Sequence, residues 1–299
     1  MAEATVVSAP KRRRRRLGLT FWLSALWLFL VGVGALTIDF LPVAEPNNMD
    51  FLATAAKPGE VGEQQVQGTD DFVEHTYWLG ADNLGRDIFA RLLKGSQTSL
   101  LIGLLAPLIG LVIGGSLGMM AGYYRGWIEA AVVAGIDVIL AFPALVLLTA
   151  VIFYAGASTF NVIVSLGFLS VPAFTRVARA TTLSFAQREF VLAARASGAS
   201  DFRILVRELL PNVIIPMLVY GLLVTAVLIV VEGVLSFLGL SVQPPAMSWG
   251  TLIEVGRDYL EEAPHITFIP AAVMCLTVLA FNLIGDQLRN LGDTRESRL

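Results

Sequence analysis

The chain has 299 residues, 56% of them apolar and 15% charged, against about 25% charged in an ordinary soluble domain. That deficit, together with long charge-free runs, argues against a soluble globular domain and for an integral membrane protein. The net charge of −3 says less than the placement of the charges. The single Cys275 excludes an intramolecular disulfide and, inside an apolar run, reads as a small core residue.

In chain order, residues 1–16 form a basic tail ending in KRRRRR. Directly before an apolar span, that run reads as a cytoplasmic anchor rather than a nucleic-acid patch. The first transmembrane helix is placed at 17–41. Its charge-free stretch Leu17–Ile38 exceeds the roughly 20 residues needed to cross the hydrocarbon and is too long for a signal-peptide core. Residues 42–96 form an extracytoplasmic loop. It closes on an amphipathic helix in which Leu84, Ile88, Leu92 and Leu93 oppose Arg86, Asp87, Arg91 and Lys94.

A five-helix core follows at 97–288. Its apolar runs are 95–124, 126–153 (interrupted by Glu129 and Asp137), 158–180, 212–236 and 265–285, with a turn at 154–161; residues 289–299 are a tail. The fold class expected is all-α, a polytopic membrane protein with six transmembrane helices. Of the 21 Lys and Arg residues, sixteen fall on segments that parity places on the side of the amino terminus. This asymmetry predicts that both termini are cytoplasmic. Residues 233–253 are uncharged and long enough for a seventh span. Pro244 and Pro245 remove two N–H donors, so the stretch reads instead as a turn and a short interfacial segment, with Trp249 at the headgroup level.

No catalytic constellation appears. His75 and His265 are isolated from any carboxylate pair at metal-ligand spacing. A phosphate-binding loop needs Gly-Lys, whereas Lys11, Lys57 and Lys94 follow Pro, Ala and Leu. If transport consumes ATP, another chain binds the nucleotide.

Two acidic residues lie within spans, near opposite faces. Asp137 either faces a pathway or pairs with Arg176 or Arg179; Glu232 either snorkels to water or serves an outer gate. Pro107, Pro143, Pro172, Pro216 and Pro270 interrupt spans, as static bends or as hinges.

Residues 189–211 read EFVLAARASGASDFRILVRELLP. Small residues favour a thin helix that Gly198 stops in the left-handed conformation. Ser200 or Asp201 caps a second helix, with Phe202, Leu205 and Leu209 on one stripe, and Pro211 opens the next span. Such a platform either docks closely against another protein, with Phe202 as a knob, or rests on lipid.

This stretch resembles the cytoplasmic coupling motif of binding-protein-dependent ABC importers, Glu-Ala-Ala-x3-Gly-x9-Ile-x-Leu-Pro. Ala193, Ala194, Gly198, Leu210 and Pro211 match; Leu192 and Glu208 depart. Glu189, about one turn earlier, is the candidate substitute for the missing motif Glu. LGADNLGRDIFARLLKG (79–95) and LSFLGLSVQPPAMSWG (235–250) are similar to sequences of the C-type permease subunits of dipeptide, oligopeptide and nickel importers. The resemblance runs from about Trp78 to Asp286.

It implies pairing with a second, B-type permease, docking of ATPase subunits that bind ATP and Mg, and delivery of cargo by an extracytoplasmic solute-binding protein. It implies a coupling segment at 186–210, with ATPase contact assigned to Glu189, Leu192, Ala193, Ala194, Arg195, Ser197, Gly198, Ala199, Asp201, Phe202 and Pro211. The binding protein would meet residues 42–94 and 237–262. A peptide is the expected cargo, with nickel or another small ligand as alternative. An ATP-independent secondary transporter is the rival from another class. Nucleic acid is not an expected partner.

Overall fold

The computed structural model describes residues 18–40, 45–65 and 72–296, so the basic run at 11–16 and the last three residues lie outside them. Helices dominate, as composition and apolar run length predict. Among the described residues five are long and apolar enough to cross a membrane: α1 (Leu19–Thr37, prolonged to Phe40 by a 3-10 turn), α2 (Ile88–Tyr124), α5 (Thr159–Phe185), α8 (Leu210–Phe237) and α10 (His265–Glu296). A sixth crossing is made if α3 (Gly126–Leu140) and α4 (Ala144–Ala155) count as one span. They are bent by 78° at Ala141–Pro143, where Pro143 disfavours helical backbone at the residue before it. The sequence pattern showed one run over 126–153 interrupted by Pro143; that the interruption divides it into two sharply bent helices is a finding of the structure.

α2 and α5 form the centre. Gly114, Gly118 and Gly122 recur every four residues and lie against α5. A Cβ on Gly114 would sit 2.5 Å from the Val171 carbonyl, and one on Gly122 would sit 2.8 Å from that of Arg179. Gly118 meets the Thr175 carbonyl in the same way. The two backbones therefore touch, as small residues permit between helices in lipid. α8 packs beside this pair, α10 packs on α8, and α9 (Trp249–Gly256) lies against α2, α8 and α10. α1 is peripheral. It is joined to α10 by Trp27 Nε1 donating to Thr277 Oγ1, and to α2 by the Lys94–Asp39 ion pair.

Among the described residues, a stretch where the sequence offered no pattern holds two β-strands. Strands β1 (Glu60–Gln65) and β2 (Phe72–Tyr77) pair antiparallel, Glu60 opposite Tyr77. Buried Tyr77 donates its hydroxyl to Asp50, and burial followed by the Asp50 carboxylate pushes that phenol upward.

The expected separate amphipathic helix is absent. α2 starts at Ile88 and runs unbroken for 37 residues, about 55 Å at 1.5 Å per residue. Asp87 caps it by accepting from the Phe89 and Ala90 N–H groups. Its charges are not turned to water: Asp82, Asp87 and Arg91 are buried. Asp82 receives Arg86 and Arg91, and Arg91 also donates to the Pro46 carbonyl. His75, read as isolated, bonds Asp87 at 2.7 Å. Cys275, expected in a core, is exposed on the outer side of α10.

Candidate functional site: the segment 186–211

This segment lies at the end of α2 opposite the hairpin. α6 (Glu189–Ala196) ends as the sequence predicts. Gly198 has φ +79°, its N–H donates to Arg195 O, and the Ala199 N–H donates to Ala194 O. Two such bonds around a left-handed glycine close the last carbonyls of a helix. The Ser200 side chain then accepts the Arg203 N–H and caps α7 (Asp201–Arg203). The predicted second helix does not stay α-helical. Ile204–Leu209 is π-helical, with the Leu210 N–H reaching back to Leu205 O, and it passes without a break into α8. Pro211 stands in the first turn of α8.

The segment has two opposed faces. Val191, Ile204 and Leu209 are fully buried in the cluster that also holds Tyr123, Phe174 and Phe185. Outward, Glu189, Leu192, Ala193, Arg195, Ser197, Gly198, Asp201, Phe202 and Pro211 are exposed, while Ala194 and Ala199 are half-buried. Phe202 is 75% exposed. The stripe expected of Phe202, Leu205 and Leu209 is thus split: Leu209 goes to the core and Phe202 to the surface. No atom lies within 4 Å of a Cβ built on Gly198. The left-handed backbone, not crowding, requires glycine there.

The structure separates the two intramembrane acids. Asp137 pairs with Arg176 at 3.2 Å, one of the two partners the sequence offered, and the other, Arg179, pairs with Glu129. Asp137 and Arg176 side chains are 57% and 60% exposed, so this ion pair stands on the outside of the chain. Glu232 lies toward the opposite end of α8 and neither snorkels nor reaches water. It is buried, and Oε1 accepts from Ser236, Ser241 and Ser248 at 2.8, 2.6 and 2.7 Å. Oε2 is buried without a hydrogen-bond partner.

Trp249, expected at the headgroups, is fully buried. Its backbone N–H meets Ser99 Oγ and its Nε1 donates to Leu92 O. Of this knot only Ser236, one turn after Glu232, was legible from helical spacing.

The model of the family described as "binding-protein-dependent transport system inner membrane component" matches residues 114–298. The chain belongs to this family. It is 41% identical over 219 residues to the glutathione transport system permease protein GsiD of Pectobacterium atrosepticum, covering 73% of each chain. Against the GsiD of Escherichia coli O6:K15:H31 it is 43% identical over 219 residues, 73% of this chain and 72% of that one. The inward-facing methionine ABC transporter MetNI has a similar fold, with TM-score 0.56 and 19% identity over 67% of this chain and 95% of that one.

The protein is a multi-pass inner-membrane permease subunit of an ABC importer, non-catalytic, with ATP hydrolysis belonging to a partner subunit. This removes the ATP-independent transporter reading. Importers of this kind comprise a partner permease, ATPase and binding protein in general terms.

Proposed function

We propose that this permease couples to its ATPase through residues 189–211 and passes small peptides delivered from outside. The observation that carries the reading is the two-faced segment: three fully buried anchors fix it to the bundle while Leu192 and Phe202 project outward from small residues. A lever must be rigid where it joins the spans and closely fitting where it meets the motor. In this reading Gly198 sets the angle between the two short helices, Phe202 fills a pocket on the ATPase, and Glu189 supplies the carboxylate that Leu192 lacks.

The segment and both termini are then cytoplasmic, and the hairpin and 237–262 face the binding protein. Charged groups at membrane depth avoid lipid, so the exposed Asp137–Arg176 pair belongs to the face that meets the second permease or the path. Glutathione, named for the relatives, is itself a small peptide, which supports that cargo class; nickel or another small ligand is the alternative.

The test is capture and uptake. A photo-crosslinker at position 202 should capture an ATPase in native membranes. Proteoliposomes holding this chain with the captured subunits and binding protein should take up glutathione or dipeptides only with ATP. Capture of no ATPase rejects the coupling role; uptake of nickel but no peptide rejects the cargo. Orientation is checked separately. In a Cys275→Ala background, Glu60→Cys should be labelled from outside intact cells and Ser200→Cys should not, and the opposite pattern reverses the topology.

A further inference from the structure

Tyr123 lies near the end of α2, and both short helices of the segment close on it. Its hydroxyl donates to Asp201 Oδ1 at 2.7 Å, and the Arg195 guanidinium stands over its ring at 5.4 Å from the centroid. Arg195 comes from α6 and Asp201 from α7, the two sides of Gly198. The ring is buried in the main core while its hydroxyl reaches the segment. A hydrogen bond to an ionised carboxylate and a cation over an aromatic face are both among the stronger polar contacts.

The covalent links from the segment are different in kind. Toward α5 the chain makes a turn at 186–188, and toward α8 it passes through the π-helical residues 204–209, a form frequent at functional sites. α2 has no chain connection to the segment. It is, however, pressed backbone to backbone on α5 through Gly114, Gly118 and Gly122. Rotation of one helix against the other would drive Cα atoms into the facing carbonyls.

We propose that Tyr123 is a positioning residue that fixes the coupling segment to the α2–α5 pair, so that the segment and this pair move as one body. The inference rests on the coupling role proposed above and adds the residue by which the motion is transmitted. Tyr123 touches neither cargo nor nucleotide; it acts through Arg195 and Asp201.

The experiment uses the assembled importer in lipid nanodiscs, with this chain carrying Cys275→Ala and spin labels at Ala196 and Met120, on α6 and α2. Distances are measured without nucleotide and after trapping with Mg-ATP and vanadate. The native chain should give one narrow distance, the same in both states. Tyr123→Phe keeps the ring under Arg195 and removes the hydroxyl; on trapping it should gain a second, shifted population. Asp201→Asn tests the same bond from the other side with the core untouched. The double variant should be no worse than either single one, as for two residues sharing one interaction.

A single unchanged distance in both variants overturns the proposal. So does a native distance that shifts on trapping, since the segment would then move independently of α2. A third label pair, from Ala196 to the ATPase, separates the two readings: if trapping leaves the ATPase remote from Ala196, the coupling role itself fails, and the role of Tyr123 with it.

Discussion

The two ends of α8 show opposite ways of using polar residues. At one end Glu232, Ser236, Ser241 and Ser248 form a closed knot, with every one of these side chains buried. At the other, Arg195, Ser197, Asp201 and Arg203 are exposed around a left-handed glycine. The first arrangement fixes a loop. The hydroxyls of Ser241 and Ser248, which flank the 242–247 stretch, are drawn back onto the helix that precedes it. The second presents a surface, held down by Val191, Ile204 and Leu209 in the core and by Tyr123 beneath Asp201 and Arg195. A fixed loop and an exposed surface need these different chemistries. Buried hydrogen bonds to a carboxylate define one geometry, whereas exposed groups leave a surface free for a partner.

The contrast can be broken most severely at Glu232. A buried polar group that loses its hydrogen-bond partner costs about 1–3 kcal/mol, and three hydroxyls donate to Glu232, so Glu232→Ala should lose several kcal/mol of stability. Thermal unfolding in detergent should fall, and protease should cut within 238–248. Unchanged cutting there would show that the loop is held by other means. Gly118→Val should be the next largest change. It pushes α2 off the α5 carbonyls at an overpacking cost of about 1–3 kcal/mol, read as a lower unfolding temperature.

Gly198→Val should disturb the fold less. A branched side chain in the left-handed region costs about 1–3 kcal/mol, and it meets no neighbour. Membrane insertion should therefore persist while ATP-driven uptake is lost; normal uptake would remove Gly198 from the coupling role. The smallest effect is expected for Leu192→Glu. An exposed substitution stays within about 0.5 kcal/mol of the native stability, and ATPase co-purification should be kept or improved. Loss of assembly would instead mean that the docking groove is apolar and that Leu192 fills it.

Much of this was legible in one dimension. Apolar run length gave the crossing helices, because a helix must satisfy its own backbone in lipid. The glycine stop of α6 and the Ser200 cap followed from local backbone rules. An arginine partner for Asp137 was one of two readings that the cost of lone charges in a membrane offered, and the structure chose Arg176 over Arg179. Other features were out of reach. The sequence marked Arg86, Asp87 and Arg91 as a polar helix face, but Asp82 and the Pro46 carbonyl, from segments outside the helix, bury them. Trp249 looked interfacial because hydropathy cannot register that Ser99 and Leu92, about 150 residues away in sequence, satisfy its N–H groups.

The sequence by itself therefore determined what local forces control: which segments are helices, where they are capped and stopped, and that the chain lives in a membrane. Only the tertiary structure decided which polar groups are closed in and which are presented. That choice depends on partners brought together from distant segments, as with Ser241 and Ser248 on Glu232 or Asp201 on Tyr123. A hydrogen bond forms between groups adjacent in space, and spacing along the chain fixes such adjacency only within a helix turn or two.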